Sequence, residues 1–311
     1  MKKKLISVII PCYNEQDNIL PMYRRLTKIF AKLAYAHEII YIDNNSEDSS
    51  EKIFTVLAGK DKKVKVIFMS RNFGSPQPSF LAGLEYAKGN AAVFLHGDIQ
   101  DPPELIPKFV RQWERGYAVV YGVRKHRKGY NFLMNFFYKA FYFLLRKLSY
   151  IQIPLDAGEF SLVDKKVMTE LLKIEEYDYY LRCLRAFVGF RQTGIIYQRE
   201  ARERGRSTES FWSGLWWAKT IIVNFSFRPL EWISQLAFII VVVSFVSLIG
   251  FLIFYRINPN SPKGIPTLFV VILFLGGVQL LSISVIAEYL AKIFLEVKRR
   301  PRYIIRKVIN Q

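Results

Sequence analysis

The sequence predicts an α/β fold, a mostly parallel sheet covered by helices, followed by interfacial amphipathic helices and a two-helix transmembrane hairpin. Three observations carry that reading. Short apolar runs without polar alternation recur through roughly the first 125 residues, separated by helical patterns, as in strands buried on both faces. Two long apolar segments stand near the other end of the chain. Between the strand-rich part and those segments lie aromatic stretches punctuated by lysine and arginine, which suit the headgroup level of a bilayer.

The strand candidates are residues 5–10, 38–42, 64–69, 91–95 and 118–121, with helical stretches near 17–34, 48–58, 77–88 and 103–114. The opening Met1-Lys2-Lys3-Lys4 and the apolar residues after it imitate a signal peptide. That apolar stretch is short, and Pro11-Cys12-Tyr13-Asn14-Glu15 interrupts it without a small-residue cleavage site, so it reads as the first strand. Residues 130–150 (with Phe132, Phe136, Phe137, Lys139 and Arg146) and 211–227 (with Trp212, Trp216, Trp217 and Lys219) read as helices lying in the interface.

Residues 232–255 carry no charge and span about 36 Å at about 1.5 Å per residue, enough to cross a bilayer. A second apolar run extends from Pro266 through Ala287, and the connector holds Asn258-Pro259-Asn260 and Ser261-Pro262, which is turn chemistry. The connector carries Arg256 and Lys263, whereas Lys292, Lys298, Arg299, Arg300, Arg302, Arg306 and Lys307 follow the second run. The positive-inside rule then places both termini and the N-terminal domain in the cytoplasm, in a multi-pass protein of the plasma (inner) membrane. The expected organisation is a cytoplasmic domain over 1–207, a juxtamembrane helix over 208–230, two transmembrane helices over 231–295 and a basic tail over 296–311.

Composition favours the same setting. Forty-five Lys and Arg against 26 Asp and Glu give a net charge of +19, which suits either a nucleic acid or an anionic membrane. A mean hydropathy of +0.12 and 15% aromatic residues are high for a soluble nucleic-acid binder, so the membrane is expected and nucleic acid is not. The two cysteines, Cys12 and Cys183, read as free thiols in a reduced compartment.

In parallel sheets, ligands bind beyond the carboxyl ends of the strands. The unusual residues of this chain fall there. Asp98, with Gln100 two residues on, offers oxygen ligands for Mg2+ or Mn2+ carrying phosphates. Asp101-Pro102-Pro103-Glu104 matches a helix start, with Asp101 as N-cap and Glu104 closing a capping box. After the second strand, Asp43 suits a base N–H or a ribose hydroxyl, while Ser46 and Asp48 suit turn and cap roles. Pro11, Tyr13 and Glu15 face the same crevice, where Tyr13 can stack on a base and Glu15 can hydrogen-bond it. Arg71 follows the third strand and Arg124 the fifth. Arg124, Arg127 and Lys128, with Arg199, Arg202, Arg204 and Arg206, suit a pyrophosphate or a lipid phosphate. Asp156 is a candidate acceptor-side carboxylate, or a turn residue.

These segments resemble one family. Val8-Ile9-Ile10-Pro11-Cys12-Tyr13-Asn14-Glu15, Asp43 with Ser46 and Asp48, Arg71-Asn72-Phe73-Gly74 with Ala82-Gly83, and Asp98-Ile99-Gln100-Asp101-Pro102-Pro103-Glu104 carry the resemblance. So do Asp156 with Gly158, Arg199, Arg202, Gly205 and Ser207, and the stretch from Glu288-Tyr289-Leu290 through Glu296-Val297-Lys298-Arg299-Arg300-Pro301. The chain is similar over nearly its whole length to membrane-bound family 2 glycosyltransferases of the polyprenyl-phosphate hexose synthase type. Dolichol-phosphate mannose synthases and bacterial undecaprenyl-phosphate glucosyltransferases are examples.

The resemblance implies a GT-A Rossmann-like catalytic domain and inverting transfer of a hexose to a polyprenyl phosphate at the cytoplasmic membrane face. The two spans fit the glucosyltransferase branch, hence glucose from UDP-glucose onto undecaprenyl phosphate, as a lipid-linked donor for cell-surface glycans such as O-antigen. A GDP-mannose-dependent mannose synthase and a non-catalytic nucleotide-sugar-binding scaffold are the alternatives. Pro11, Tyr13, Glu15 and Asp43 would hold the nucleoside. Asp98 and Gln100 would ligate the metal, and Arg124 would lie near the phosphates. Asp156 occupies the place of the catalytic carboxylate, Arg199 and Arg202 would meet donor or acceptor phosphate, and a homo-oligomer is expected. One departure stands out: where the family usually has Asp-x-Asp, this chain has His96-Gly97-Asp98, and imidazole can also ligate manganese.

Overall fold

The computed structural model describes residues 3–124, 154, 157–199, 220, 223–257 and 264–311. They fall into two compact units, one holding an eight-stranded sheet with its helices and one holding two long apolar helices.

The first unit begins with β1 (Leu5–Cys12), α1 (Gln16–Phe30), β2 (Ala36–Asp43), α2 (Ser50–Lys60), β3 (Val64–Met69), α3 (Gln77–Glu85) and β4 (Ala91–Phe94). A 3-10 turn (Pro103–Leu105) leads into α4 (Ile106–Glu114) and β5 (Val119–Arg124). Then follow β6 (Ala157–Asp164), α5 (Lys165–Lys173), α6 (Leu181–Phe187) and β7 (Gln192–Tyr197), and β8 (Ile305–Ile309) completes the sheet. The unbroken apolar runs become strands because both faces are covered: β3 and β4 are buried at every position. Helix α4 shows the complementary pattern. Its Ile106, Phe109, Val110 and Trp113, at helical spacing, are the positions it buries.

The strand order is β7-β5-β6-β4-β1-β2-β3-β8. Strands β1 to β5 and β7 share one direction, and only β6 and β8 run against it. The mostly parallel sheet expected from sequence is therefore present. Strand β1 has β2 on one side and β4 on the other, so the chain order reverses there. This switch point opens a crevice beyond the carboxyl ends of β1 and β4.

Two features differ from the sequence reading. Residues 296–311 were expected to be a basic tail, yet Ile305–Ile309 pairs antiparallel with β3. The basic residues disguise a strand because it is an edge strand. Arg306 and Lys307 lie over the Phe68 ring, and charged side chains on an edge discourage further pairing. The Asp101–Glu104 helix cap is also absent. The turn is entered at Pro102 without a side-chain cap, and Glu104 instead pairs with Arg25. Pro102 and Pro103 supply no N–H to a capping oxygen, which leaves Asp101 to other partners.

The second unit holds α7 (Arg228–Ile257) and α8 (Ile265–Lys298), both long and apolar enough to cross a membrane. Their large apolar side chains face outward, Phe238 at 70% and Leu273 at 74% exposure. The Tyr289 hydroxyl of α8 donates to the Ser226 carbonyl just before α7, at 2.7 Å. Residues 130–150 and, within the stretch 211–227 also read above as interfacial, residues 211–219, 221 and 222 lie outside the described residues.

Candidate active site

Three loops leave the sheet at the switch point. The loop after β1 and the loop after β2 are laced together: Asn14 N–H donates to Ser46 Oγ at 2.9 Å, Glu47 N–H to Asn14 Oδ1 at 2.8 Å, and Gln16 N–H to Asp48 Oδ2 at 3.1 Å. Asn14 and Asn45 take left-handed backbone angles, which asparagine tolerates. The loop after β4 passes close to β1, where Gly97 N–H donates to the Pro11 carbonyl at 3.3 Å. A Cβ on Gly97 would stand 2.6 Å from Cys12 Sγ, so the strand exit requires glycine.

Asp43 is 1% exposed at the end of β2 and accepts from Ser46 Oγ at 2.5 Å and Ser46 N–H at 3.2 Å. Burial raises its pKa, against the lowering by the Ser46 hydrogen bonds. Tyr13 is exposed at the mouth, and Glu15 accepts from Asn18 Nδ2 at 2.5 Å. Arg71 is at the same edge but lies over the Phe73 ring at 4.2 Å.

Asp98 stands partly exposed after β4. Its Oδ1 accepts from Gln100 N–H at 3.3 Å, while its Oδ2 has Arg199 at 3.7 Å, beyond hydrogen-bond reach. Between Asp98 and Gln100, Ile99 has φ +58, a strained conformation for a β-branched residue and of the kind that clusters at functional sites. A hard carboxylate oxygen without a hydrogen-bond donor among the described residues, followed by an amide side chain, fits a magnesium-like ion that takes one or two protein oxygens and completes its shell with water and phosphate. Among the described residues no group of three or more His, Cys, Asp or Glu is placed around a metal, so such an ion would depend on those outside ligands.

Behind Asp98 lies a network that sequence reasoning missed. Asp101 is fully buried, accepts from the Tyr197 hydroxyl, and has Arg199 at 3.5 Å and Arg124 at 3.8 Å. Among the described residues, Asp101 Oδ2 and Arg199 Nε have no hydrogen-bond partner. Burial opposes the charge on Arg124, yet Asp101, Tyr197 and Glu159 together outweigh it and raise the guanidinium pKa. Gly158 makes room for this arginine, since a Cβ there would stand 2.9 Å from an Arg124 guanidinium nitrogen.

Across the crevice, His96 Nε2 is 3.5 Å from Glu159 Oε2 of β6. Burial lowers the His96 pKa, but Glu159, with Asp98 and Asp101, more than compensates and the net direction is upward. For Glu159, burial works against ionisation, while His96, Arg182 and Arg124 together hold its pKa well below the usual carboxylate range. Pro11, Tyr13, Glu15, Asp43, His96, Gly97, Asp98, Gln100, Arg124 and Arg199 therefore gather at one edge of the sheet. Asp156, Arg127 and Arg202 lie outside the described residues. Of the missed residues, Glu159 had a signal: it sits beside Asp156 at the start of an apolar run.

The fold and its edge define an α/β ligand-binding domain with acidic and arginine side chains at a switch point. Residues 7–172 match Glycosyl transferase family 2, and the chain belongs to that family. It is 37% identical to an uncharacterized glycosyltransferase of Synechocystis sp., over 96% of this chain and 94% of that protein. It is 33% identical to the SfII prophage-derived bactoprenol glucosyl transferase of Shigella flexneri, over 97% of each. Among solved structures, glucosyl-3-phosphoglycerate synthase from Mycobacterium tuberculosis, in complex with Mn2+, UDP-glucose and phosphoglyceric acid, is similar at TM-score 0.45. The identity is 18%, over 71% of this chain and 78% of that one.

Proposed function

We propose that this glycosyltransferase transfers glucose from UDP-glucose to undecaprenyl phosphate, with inversion, at the cytoplasmic face of the membrane. The observation that carries the reading is the similarity to a bactoprenol glucosyl transferase over 97% of both chains, a span that includes the two apolar helices.

Asp43 accepts from the nucleoside, Tyr13 offers its exposed ring to the base, and Arg124 and Arg199 meet the phosphates. Asp98 and Gln100 would hold Mg2+ or Mn2+, which when bound would supply positive charge beside the diphosphate. The acceptor phosphate oxygen attacks the anomeric carbon, the bond from that carbon to the diphosphate breaks, and UDP leaves. A phosphate monoester is already largely dianionic at pH 7, with its second pKa about 6. A strong general base is therefore unnecessary, and Asp156 orients the acceptor. The outward apolar faces of α7 and α8 insert in the bilayer, which holds the polyprenyl chain where its phosphate meets the site. The chain works as a homo-oligomer with both termini cytoplasmic.

Purified full-length protein, given radiolabelled UDP-glucose, UDP-N-acetylglucosamine or GDP-mannose with undecaprenyl phosphate and Mn2+, should yield lipid-linked glucose. Lipid-linked sugar from GDP-mannose alone would move the assignment to a mannose synthase. No lipid-linked sugar from any donor would overturn the enzyme reading.

A further inference from the structure

We infer that Arg185, a buried arginine of α6, is a positioning residue for the transfer: it holds the irregular stretch of β6 against which the Arg124 guanidinium rests. The inference rests on the reading above, in which Arg124 meets the phosphates, and adds to it a residue that touches no substrate.

The sheet is irregular where the two arginines meet it. On the β5 side of β6, Tyr121 pairs with Ser161 and Val123 with Ala157. Between these rungs β5 has Gly122 alone, while β6 has Gly158, Glu159 and Phe160. On the other side, the ladder from β6 to β4 has its last rung at Ser161 and Phe94. Extra residues in a bulge lose regular pairing, and bulges re-aim side chains beside active sites. Here side chains fasten the backbone. Arg185 Nη2 donates to the Gly158 carbonyl at 3.2 Å, and Ser161 Oγ donates to the Glu159 carbonyl at 2.8 Å. Arg124 packs against the same glycine, since a Cβ on Gly158 would stand 2.9 Å from Arg124 Nη2. A shift of Gly158 therefore moves the support under Arg124.

Stability does not explain Arg185. The side chain is fully buried, its guanidinium carbon lies 5.1 Å from the centre of the Tyr121 ring, and among the described residues Nε and Nη1 have no hydrogen-bond partner. Burial outweighs the nearby Glu159 carboxylate and lowers the Arg185 pKa to about 10, so the group is charged at neutral pH. A buried charge paired this poorly weakens a fold, and an apolar side chain of similar size is often neutral or better in its place. Local rules are broken in this way where function requires it. The helix end that carries Arg185 is itself tied to the sheet, because Gln192 Nε2 of β7 donates to the Arg185 carbonyl at 3.0 Å. The guanidinium thus reaches Gly158 from a fixed base.

Full-length protein in detergent is assayed with radiolabelled UDP-glucose, undecaprenyl phosphate and Mn2+. Turnover is expressed per UDP-binding site, so that unfolded protein does not count. Arg185→Met should lower that turnover about 100-fold, the scale of a misplacement of about 1 Å, while melting no lower than wild type. The KM for UDP-glucose should change little, because the nucleoside contacts lie on other loops. Arg185→Lys, which keeps the charge and a donor, should recover part of the loss. In an Arg124→Lys background, which keeps a cation beside Asp101, Arg185→Met should cost far less than in wild type, because one residue acts through the other. Wild-type turnover per site in Arg185→Met overturns the inference, as do losses that add in full across the double variant. If Arg185→Met does not fold, the smaller loss of Arg185→Lys is tested against Arg124→Lys in the same cycle. A wild-type protein that transfers no sugar from any donor overturns the functional reading, and this inference with it, before any variant is made.

Discussion

The Tyr197 hydroxyl at the end of β7 donates to Asp101, ninety-six positions earlier in the chain, and the carboxylate they share with Arg124 and Arg199 is fully buried. This contact joins β7 to the loop that carries Asp98. Tyr197→Phe removes the bond to Asp101 and the 3.4 Å bond accepted from Arg124 Nε, and should cost about 1–3 kcal/mol. Asp101→Ala strands two guanidinium groups and a hydroxyl, so its cost should reach roughly 3–5 kcal/mol. Thermal melts of the purified variants, ranked wild type, then Tyr197→Phe, then Asp101→Ala, check the order.

Asp43 has the opposite balance of stability and function. Burial raises its pKa, so the folded state holds its proton more tightly than the unfolded state. The sign follows directly: its contribution is least unfavourable below the unfolded carboxyl pKa and worsens as pH rises through the folded value. Asp43→Asn should therefore melt higher than wild type at neutral pH, with the advantage shrinking in acid. The same variant should bind UDP-glucose more weakly. Melting curves across pH, beside nucleotide titrations, test both halves.

Much of this arrangement was legible in the sequence because it is local. The run Ala91-Ala92-Val93-Phe94-Leu95 marks a buried strand, and the polar residues just after it fall at its carboxyl end whatever the rest of the chain does. Asp43 at the end of β2 was found by the same logic. The interior network was illegible because its partners meet only through sheet order. Nothing near Asp101 in sequence announces Tyr197 or Arg199, and the adjacent prolines mark a helix start that does form but without the Asp101 cap expected of it. His96 and Glu159 meet because β6 inserts antiparallel between β4 and β5, an arrangement that periodicity alone does not specify.

Strand β8 covers the edge of β3, and Asn310 beside it donates from Nδ2 to the carbonyls of Ala58 at 2.7 Å and Val64 at 2.9 Å. Deleting residues 300–311 would leave the backbone of β3 unpaired at a sheet edge, a template for aggregation. The truncated protein should run in the void volume on size exclusion while the full chain does not. Asn310→Ala should cost about 1–2 kcal/mol through its lost hydrogen bonds, and more because φ is +56 there. Arg306→Ala breaks an exposed 2.7 Å pair with Glu51 and should change stability by less than about 1 kcal/mol.

Asp98 separates chemistry from folding most cleanly. It is partly exposed and, among the described residues, makes one 3.3 Å hydrogen bond and has its other oxygen free of donors, so Asp98→Asn removes little that holds the fold. The same change removes the charged oxygen expected to grip the ion on the diphosphate. Turnover should fall by about 100- to 1,000-fold with the melting temperature nearly unchanged, a loss of the size seen when transition-state charge goes unstabilised. Chelation by EDTA should abolish wild-type turnover and added Mn2+ should restore it, while Asp98→Asn should need far more Mn2+ to reach its own lower plateau. Gln100→Ala, lacking only a neutral oxygen, should shift the Mn2+ requirement less. A melting temperature as depressed as that of Asp101→Ala would place Asp98 in the structural network instead. Activity that persists through exhaustive chelation would mean that the arginines alone stabilise the leaving diphosphate.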